Sequence, residues 1–301
     1  MKTVKIIRII VSLAAMLAPA FAIVAGYDSV FARMQLMMAI LSGSALWLLL
    51  WCLVTFIYGR IYCSAVCPLG TLQDCFSFVS RRCGSLRRGY RYRRPMPLMR
   101  LLVLAAVLLA MLGGVVIVPV MFDPYTSYAR MVNEFIATPA GIVLGRPDVR
   151  LSLASFAVAF IELAVVALLA WTRGRLICNT VCPVGTLLGF ISRRSLLHAD
   201  INTDLCVGCR RCEEVCKAEC IDLSVPAVDL SRCVVCFDCM AVCPNDAITY
   251  RSGRHRLSTP LAQPTAMFSS MPESSDSILK IEKLTEPYTR CSEKPGSAEK
   301  S

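Results

Sequence analysis

The stretch GRIYCSAVCPLGTL at residues 59–72 returns almost unchanged as GRLICNTVCPVGTL at residues 174–187. Both copies follow the pattern G-R-x-x-C-x-x-V-C-P-x-G-T-L without a gap, and a second likeness follows them at 78–82 and 190–194. Each copy comes after a long apolar run. The chain is therefore a duplicated unit, in which apolar segments end in a loop with two cysteines.

The composition points to a membrane protein with a soluble appendage. Of the 301 residues, 56% are hydrophobic, and the mean hydropathy is +0.59. This is too apolar for an ordinary soluble domain. The net charge of +11 comes from arginines beside apolar segments, so membrane topology explains it better than nucleic-acid binding. The 17 cysteines fall at short spacings that favour metal clusters over a disulfide framework.

Four apolar segments are long enough to cross a membrane, since a helical span needs about 20 residues. They lie at about 6–26, 36–58, 101–121 and 151–171. An arginine-rich linker at 81–100 follows the second segment, and such basic excess marks the cytoplasmic side. We therefore expect residues 1–200 to form an all-α membrane domain of four transmembrane helices, a tandem two-helix repeat with both termini in the cytoplasm.

Shorter segments connect or flank these four. Segment 122–150 balances acidic against basic residues and is expected on the side opposite the linker. Segment 69–79 is apolar but too short to cross, and we expect it at the membrane interface. Small residues at 18–22 would suit a signal-peptide cleavage site, but the apolar run is longer than usual, which favours a retained helix. Residues 251–301 are rich in Ser, Pro, Lys and Glu and are expected to be mostly disordered.

Residues 201–250 are polar, dense in cysteine, and contain two runs of the form C-x-x-C-x-x-C-x-x-x-C. The first run is Cys206, Cys209, Cys212 and Cys216, and the second is Cys233, Cys236, Cys239 and Cys243. This module resembles the bacterial two-cluster ferredoxins, small α+β proteins in which the last cysteine of each run binds the cluster of the other. The resemblance implies two [4Fe–4S] clusters, with Cys243 completing the first set and Cys216 the second. A zinc ribbon, the alternative, would use two C-x-x-C pairs.

Two positions in the first run depart from the second. Lys217 stands where the second run has Pro244, and we expect this to leave that edge of the cluster more exposed to water without removing a ligand. Cys220 aligns with Ala247, and we interpret it as a small packing residue near a cluster. No function is assigned to the cysteines outside these motifs, which are Cys52, Cys75, Cys83 and Cys291.

The repeated loops carry a different pattern, C-x-x-x-C-P. Proline prefers the first turn of a helix, so Cys67 and Cys182 should lie at helix N-termini, where a thiolate is favoured. A repeat of two spans keeps both loops on the same side of the membrane, related by a pseudo-two-fold axis. The hypothesis is one shared iron–sulfur cluster held by Cys63, Cys67, Cys178 and Cys182. Redox-active disulfides, and thiols that shape the loop without metal, are the alternatives.

Several charged residues are candidates for function. Arg60 and Arg175 precede the two loops and could balance an anionic cluster or a quinone head group, or anchor the chain at the membrane boundary. Glu162 lies in the middle of the fourth segment, where we favour a neutral packing contact over a proton or quinone role. Only His198 and His255 occur, neither within a span, which excludes bis-histidine haem in the membrane for this chain alone. Nucleotide-binding glycine motifs do not occur.

The order of these motifs resembles the NapH-type membrane polyferredoxins, a family that includes MauN, and the loops are similar to those of NosR and CcoG. The resemblance covers residues 1–250. It implies a multi-pass protein of the bacterial inner membrane that relays electrons between the quinol pool and partner redox proteins. The expected partners are lipid, a quinone and redox proteins. We expect an electron carrier, with a quinol dehydrogenase subunit as the enzymatic form. The alternative, suggested by CcoG, is metal reduction or cofactor maturation.

Overall fold

The computed structural model describes residues 2–27, 29–41, 43–83, 89–143 and 152–252. Helices occupy most of the chain before residue 197, and two short antiparallel strand pairs follow. The predicted disordered tail at 251–301 lies outside the described residues, except for Arg251 and Ser252 in the last strand.

The elements are numbered in chain order. The first half contains α1 (Lys2–Ala25), α2 (Ser29–Arg33), α3 (Leu36–Leu41), α4 (Ala45–Tyr58), α5 (Ile61–Ala65), α6 (Pro68–Cys83), α7 (Pro97–Leu112) and α8 (Ile117–Phe122). There follow α9 (Pro124–Val132), a π-helical turn (Asn133–Ala137), α10 (Thr138–Val143), α11 (Leu153–Arg173), α12 (Leu176–Thr180) and α13 (Pro183–Ser192). The last part contains β1 (Leu197–Ile201), α14 (Arg211–Glu214), β2 (Ile221–Asp222), β3 (Ala227–Val228), α15 (Asp238–Val242) and β4 (Ile248–Ser252).

Two of the four apolar segments form helices long enough to cross a membrane. In α1, Thr3–Ala25 has a mean hydropathy of 2.3, and α11 has a mean hydropathy of 2.5 over its 21 residues. Both leave many large apolar side chains exposed, among them Ile10, Phe21 and Ile161. Such exposure of apolar surface suits contact with lipid. The first and fourth predicted segments are therefore helices of spanning length.

The other two segments are interrupted, so four continuous spans are not confirmed. The segment at 36–58 is divided between α3 and α4 near Gly43, and the segment at 101–121 is divided between α7 and α8 at Gly114. Both glycines have positive φ, +69° and +74°, a conformation that ends helices. With 14 residues in α4 and 16 in α7, these helices are about 21 and 24 Å long at 1.5 Å per residue, shorter than a bilayer core of about 30 Å.

The segment after α8, which we expected only to connect two spans, is largely helical. It runs from α9 through the π-helical turn into α10 and packs against α1, α6 and α11. The Tyr128 hydroxyl donates to the Met16 carbonyl at 2.8 Å, and Arg130 pairs with Glu162 at 2.6 Å. Its charges therefore form internal contacts, which the balance of charge along the sequence does not reveal. Glu162 is a packing contact as favoured, but it is an ion pair rather than a neutral one.

Helix α6 extends the predicted short segment at 69–79 and lies against α11. The Ser77 hydroxyl donates to the Ala170 carbonyl at 3.1 Å, and the Ser80 hydroxyl donates to the Trp171 carbonyl at 2.7 Å. These contacts join the helix after the first loop to the helix before the second. The two halves of the duplication are thereby packed together.

The cysteine-dense module is built from the two strand pairs and two short helices. Strands β1 and β4 are antiparallel, with Leu197 opposite Ser252 and Ile201 opposite Ile248, while β2 pairs with β3. The first strand therefore begins before residue 201. The module rests on the end of α4, because Leu196 N–H donates to the Phe56 carbonyl at 2.9 Å. The cysteine module is thus held beside the first loop.

Candidate functional site

The two repeated loops have the same local structure. Each has a single helical turn, α5 or α12, that carries its first cysteine, and then a helix that begins at the proline, α6 or α13. Cys182 is the N-cap of α13, and its sulfur accepts a hydrogen bond from Gly185 N–H at 3.3 Å. The prediction that the second cysteine precedes a proline-initiated helix is confirmed. Backbone N–H groups in the first turn of these helices have no partner inside the helix and can therefore donate to the sulfur of the preceding cysteine.

The arginine of each loop crosses to the other loop. Arg60 Nη2 donates to the Cys178 carbonyl at 3.0 Å, and Arg175 Nη1 donates to the Cys63 carbonyl. Both arginines are completely buried. A membrane-boundary anchor would expose its guanidinium to head groups, so that interpretation of Arg60 and Arg175 is wrong. We call this reciprocal pair of hydrogen bonds the arginine clasp.

The glycine of the C-P-x-G pattern is required by the arginine clasp. A Cβ atom at Gly70 would collide with the Cys63 carbonyl, and one at Gly185 would collide with the Cys178 carbonyl and lie 2.7 Å from Arg60 Nη2. Only glycine admits this approach of backbone and guanidinium. Sequence reasoning did not assign these glycines a role, although their recurrence in both copies was the available signal.

The four loop cysteines, Cys63, Cys67, Cys178 and Cys182, are all buried. Burial raises the pKa of the Cys67 thiol well above its usual range, and the other three thiols raise it further. Burial also raises the pKa of Cys182, with contributions from Cys178 and Cys63. The loops therefore bring the four thiols close enough to interact, as the duplication hypothesis requires. Cysteine thiols that bind a metal lose their protons on binding.

The two buried arginines differ in their counter-charge. Arg175 forms two bonds to Asp74, from Nε at 2.8 Å and from Nη2 at 2.9 Å. Arg60 instead donates to Asn179 Oδ1 and to the Ser231 carbonyl, both at 2.9 Å. Within the described ranges no carboxylate pairs with Arg60, whose Nη2 lies 3.8 Å from Cys63 Sγ. A buried cation without an anion is costly.

The module cysteines line two cavities. Cys206, Cys209, Cys212 and Cys243 line the first cavity, and Cys216, Cys233, Cys236 and Cys239 line the second, where Cys220 joins them. In the described part of the chain, no three His, Cys, Asp or Glu side chains close around a single metal ion. Thiols that border a cavity suit a polynuclear cluster better than a mononuclear site, so the donor set fits iron–sulfur chemistry. Which thiols bind iron stays a prediction.

Lys217 joins the module to the loops. Its Nζ lies 3.4 Å from Asp74 in α6 and 3.2 Å from Asp238 in α15, and its carbonyl accepts from Arg175 N–H at 3.0 Å. Asp74 and Asp238 raise the pKa of Lys217 against the opposing effect of burial. The expectation of a wetter edge at Lys217 is wrong, because the side chain lies between two packed elements and is largely buried.

The second cavity faces the loops and the first faces solvent. Arg60 donates to Ser231, two residues before Cys233, and the Cys236 thiol is close enough to raise the pKa of Arg175. At the first cavity Cys209 is exposed, and Val207 is 51% exposed. The three groups of thiols thus lie in the order loops, second cavity, first cavity.

Comparison with known proteins finds a family match in each half of the duplication. A 4Fe-4S binding domain family matches residues 40–85 and 155–202, which contain the two loops. The ferredoxin-type protein NapH of Escherichia coli is 26% identical over 214 residues, 65% of each chain. The methylamine utilization ferredoxin-type protein MauN of Paracoccus denitrificans is 29% identical over 160 residues, 52% of this chain and 48% of MauN. An uncharacterized protein of Methanocaldococcus jannaschii is 26% identical over 197 residues.

These alignments are partial. The chain spans about half of MauN and about two thirds of NapH and of the Methanocaldococcus jannaschii protein. No solved structure gives a significant match. The matches nevertheless confirm the resemblance that the motifs indicated: the chain is similar to the ferredoxin-type proteins NapH and MauN, and each half of its duplication matches the 4Fe-4S binding domain family.

Proposed function

We propose that this protein relays electrons between the membrane quinol pool and partner redox proteins through iron–sulfur clusters. Its kinship with ferredoxin-type proteins supports an iron–sulfur electron-transfer role. The observation that carries the proposal is the continuous series of three thiol groups, from the buried loops through the second cavity to the solvent-facing first cavity. A series of this kind connects the membrane side of the protein with a surface that a partner can reach.

In the module, each cluster takes three ligands from one cysteine run and the fourth ligand from the other run. One [4Fe–4S] cluster is held by Cys206, Cys209, Cys212 and Cys243, and the other is held by Cys233, Cys236, Cys239 and Cys216. The sharing of each cavity by both runs supports this assignment. When bound, such clusters accept and release single electrons at potentials set by charge, hydrogen bonds and exposure.

A further cluster is proposed at the loops, shared by Cys63, Cys67, Cys178 and Cys182. Arg60 supports it, because this buried cation lacks a carboxylate partner among the described residues and lies beside Cys63. Thiolates around an iron–sulfur cluster would supply the missing negative charge. The match of the 4Fe-4S binding family to both loops supports it independently.

The protein residues around these sites orient and balance the clusters. The arginine clasp joins the two loops and holds positive charge beside the thiols of the second cavity. Lys217 ties the module to Asp74 of α6, which keeps the second cavity against the loops. Positive charge near a cluster favours its reduced form, which carries one more negative charge.

We propose four membrane crossings for residues 1–200, with both termini, the loops and the module at 201–250 in the cytoplasm. The long helices α1 and α11 support two crossings. The apolar helices α4 and α7, with the shorter helices before and after them, support the other two as interrupted spans. The arginines at 81–100 support a cytoplasmic linker. The location is a bacterial inner membrane, with a quinone and lipid as partners.

An iron and sulfide count on the purified full-length protein tests the cluster assignments. Two cubanes give about 8 irons per chain and a third gives about 12, by the stoichiometry of Cys₄ cluster sites. We expect about 12, falling to about 8 in the double variant Cys63→Ala, Cys178→Ala. The matched control Cys52→Ala, Cys75→Ala should lose none. A loop variant that keeps all its iron rules out the shared cluster.

The electron-transfer proposal is tested by adding menaquinol to the oxidised protein and following the clusters by electron paramagnetic resonance. We expect cluster signals to appear within the mixing time and to disappear when an oxidised ferredoxin-type acceptor is added. Failure of menaquinol to reduce any cluster, with the iron content intact, contradicts quinol as the electron donor.

A further inference from the structure

The second cavity contains a thiol that the four-ligand assignment does not use. Cys220 is 2% exposed, and its Sγ lies 3.5 Å from Cys216 Sγ. Cys233 borders the same cavity. Cys216 and Cys233 come from different runs and are both assigned to the second cluster. One buried thiol therefore contacts one ligand sulfur and shares a cavity with another ligand of the same cluster.

Among the described residues that line the first cavity, there is no fifth cysteine, and the internal repeat of the module makes the comparison direct. Cys220 follows Cys216 by four residues, as Ala247 follows Cys243. The Ala247 backbone N–H donates to Cys243 Sγ at 3.3 Å, and the sequence places the Cys220 backbone N–H at the matching position after Cys216. The backbone donor has the same position in both runs, and the thiol is an addition at the second cavity alone.

Packing does not explain this addition. Ala247 is also 2% exposed, so a methyl group fills the matching place at the first cavity. A thiol carries a weak donor that a methyl group lacks, and an ordinary cysteine keeps its proton at neutral pH. Burial removes water as a competing partner. The sulfur of Cys216, 3.5 Å away, is an acceptor within reach of this donor.

We propose that Cys220 is a positioning residue for the second cluster: its single S–H donates to the sulfur of Cys216 and raises the reduction potential of that cluster. Hydrogen bonds to the sulfurs stabilise the additional electron of the reduced state and so shift the potential upward. The inference rests on the proposed function, because it requires iron in the second cavity. It gives the cluster beside the loops a property that the solvent-facing cluster lacks.

The test is a redox titration of the full-length protein, followed by electron paramagnetic resonance, with an iron count on each sample. In Cys220→Ala we expect unchanged iron, a lower potential for one module cluster and an unchanged potential for the other. Cys220→Ser keeps a donor of similar size and should recover much of the shift. In the matched variant Ala247→Ser, a donor is added beside the first cluster, and the potential of that cluster should rise.

Each other outcome is decisive. Unchanged potentials in Cys220→Ala overturn the proposal, since the thiol would then be a packing group only. Loss of about 4 irons per chain, one cubane, in both Cys220→Ala and Cys220→Ser would make Cys220 a ligand and also overturn it. Absence of iron from the wild-type protein is a failure of the proposed function instead. If Cys220→Ala does not fold, Cys220→Val, which fills the space but has no donor, takes its place, and an unchanged potential of the second cluster in that variant overturns the proposal.

Discussion

The two loops share one sequence pattern and the same clasp, yet they balance charge in different ways. In the first copy, Asp74 follows Cys67 by seven residues and pairs with Arg175 of the second copy. The matching residue in the second copy is Gly189, and a Cβ atom there would collide with Arg100. Arg100 donates to Ser231 from the linker. The duplication therefore kept the backbone clasp but gave only one arginine a carboxylate.

This difference indicates how each arginine is stabilised. Arg175 is neutralised by the protein itself through Asp74, which also lies 3.4 Å from both Arg8 and Lys217. Arg60 has only neutral acceptors among the described residues, together with the nearby Cys63 sulfur. We infer that the stabilisation of Arg60 depends on the group that the loop thiols bind, whereas the stabilisation of Arg175 does not.

The largest effect is expected from Asp74→Asn. The substitution keeps the shape of the side chain but leaves Arg175, Arg8 and Lys217 without their shared carboxylate. Breaking a buried ion pair by removing one partner costs about 3–5 kcal/mol. Thermal unfolding in detergent should show a large loss of stability. The exposed Asp246→Asn is the control, and an equal, small change in both variants would contradict the assigned role of Asp74.

The roles of Arg60 and Arg175 are distinguished by comparing the stability of their variants with and without bound iron. Arg175→Gln should destabilise both the iron-loaded and the iron-stripped protein, because it breaks the pair with Asp74. Arg60→Gln should destabilise the loaded protein by about 1.5–3 kcal/mol, the range for a hydrogen bond to a charged group, but the stripped protein by clearly less. Its counter-charge is removed together with the iron. Unfolding of both variants in both states is the measurement.

The comparison has a clear negative outcome. If Arg60→Gln costs as much in the stripped protein as in the loaded one, its neutral acceptors suffice and the thiols are not its counter-charge. The shared cluster would then lose its main structural support. Arg251→Gln, which removes a part-exposed pair with Asp200 at the edge of the module, serves as the control for loss of an arginine.

The sequence predicts local features of this site and misses the long-range ones. The proline-initiated helices after Cys67 and Cys182 follow from local preferences and are confirmed. The Arg175–Asp74 pair joins residues 101 positions apart, and no spacing rule reports such a contact. Alignment of the two copies shows Asp74 against Gly189, and that asymmetry was the only available signal.

The membrane segments show the same limit. Composition identified four apolar stretches, but it reports the average along a window and not the continuity of a helix. Gly43 and Gly114 adopt positive φ and divide two of the stretches, which a hydropathy average does not register. The helix that begins at Pro124 was not predicted, because its segment is polar. Its polar residues form contacts inside the bundle, as in the pair of Arg130 with Glu162.

The smallest change is expected in the pH dependence of stability, which also distinguishes the two loops. Arg175, with Lys217 and Arg8, lowers the pKa of Asp74 below its usual range, outweighing the opposite effect of burial. A carboxylate with a lowered folded pKa stabilises fully above its unfolded pKa of about 3.9, and the contribution is lost as pH falls through the folded value. The stability difference between wild type and Asp74→Asn should therefore stay constant from pH 7 to about pH 5. Unfolding midpoints at pH 7, 6 and 5 measure it, and a difference that shrinks across this range would mean that Asp74 takes up a proton near neutral pH and does not keep Arg175 neutralised.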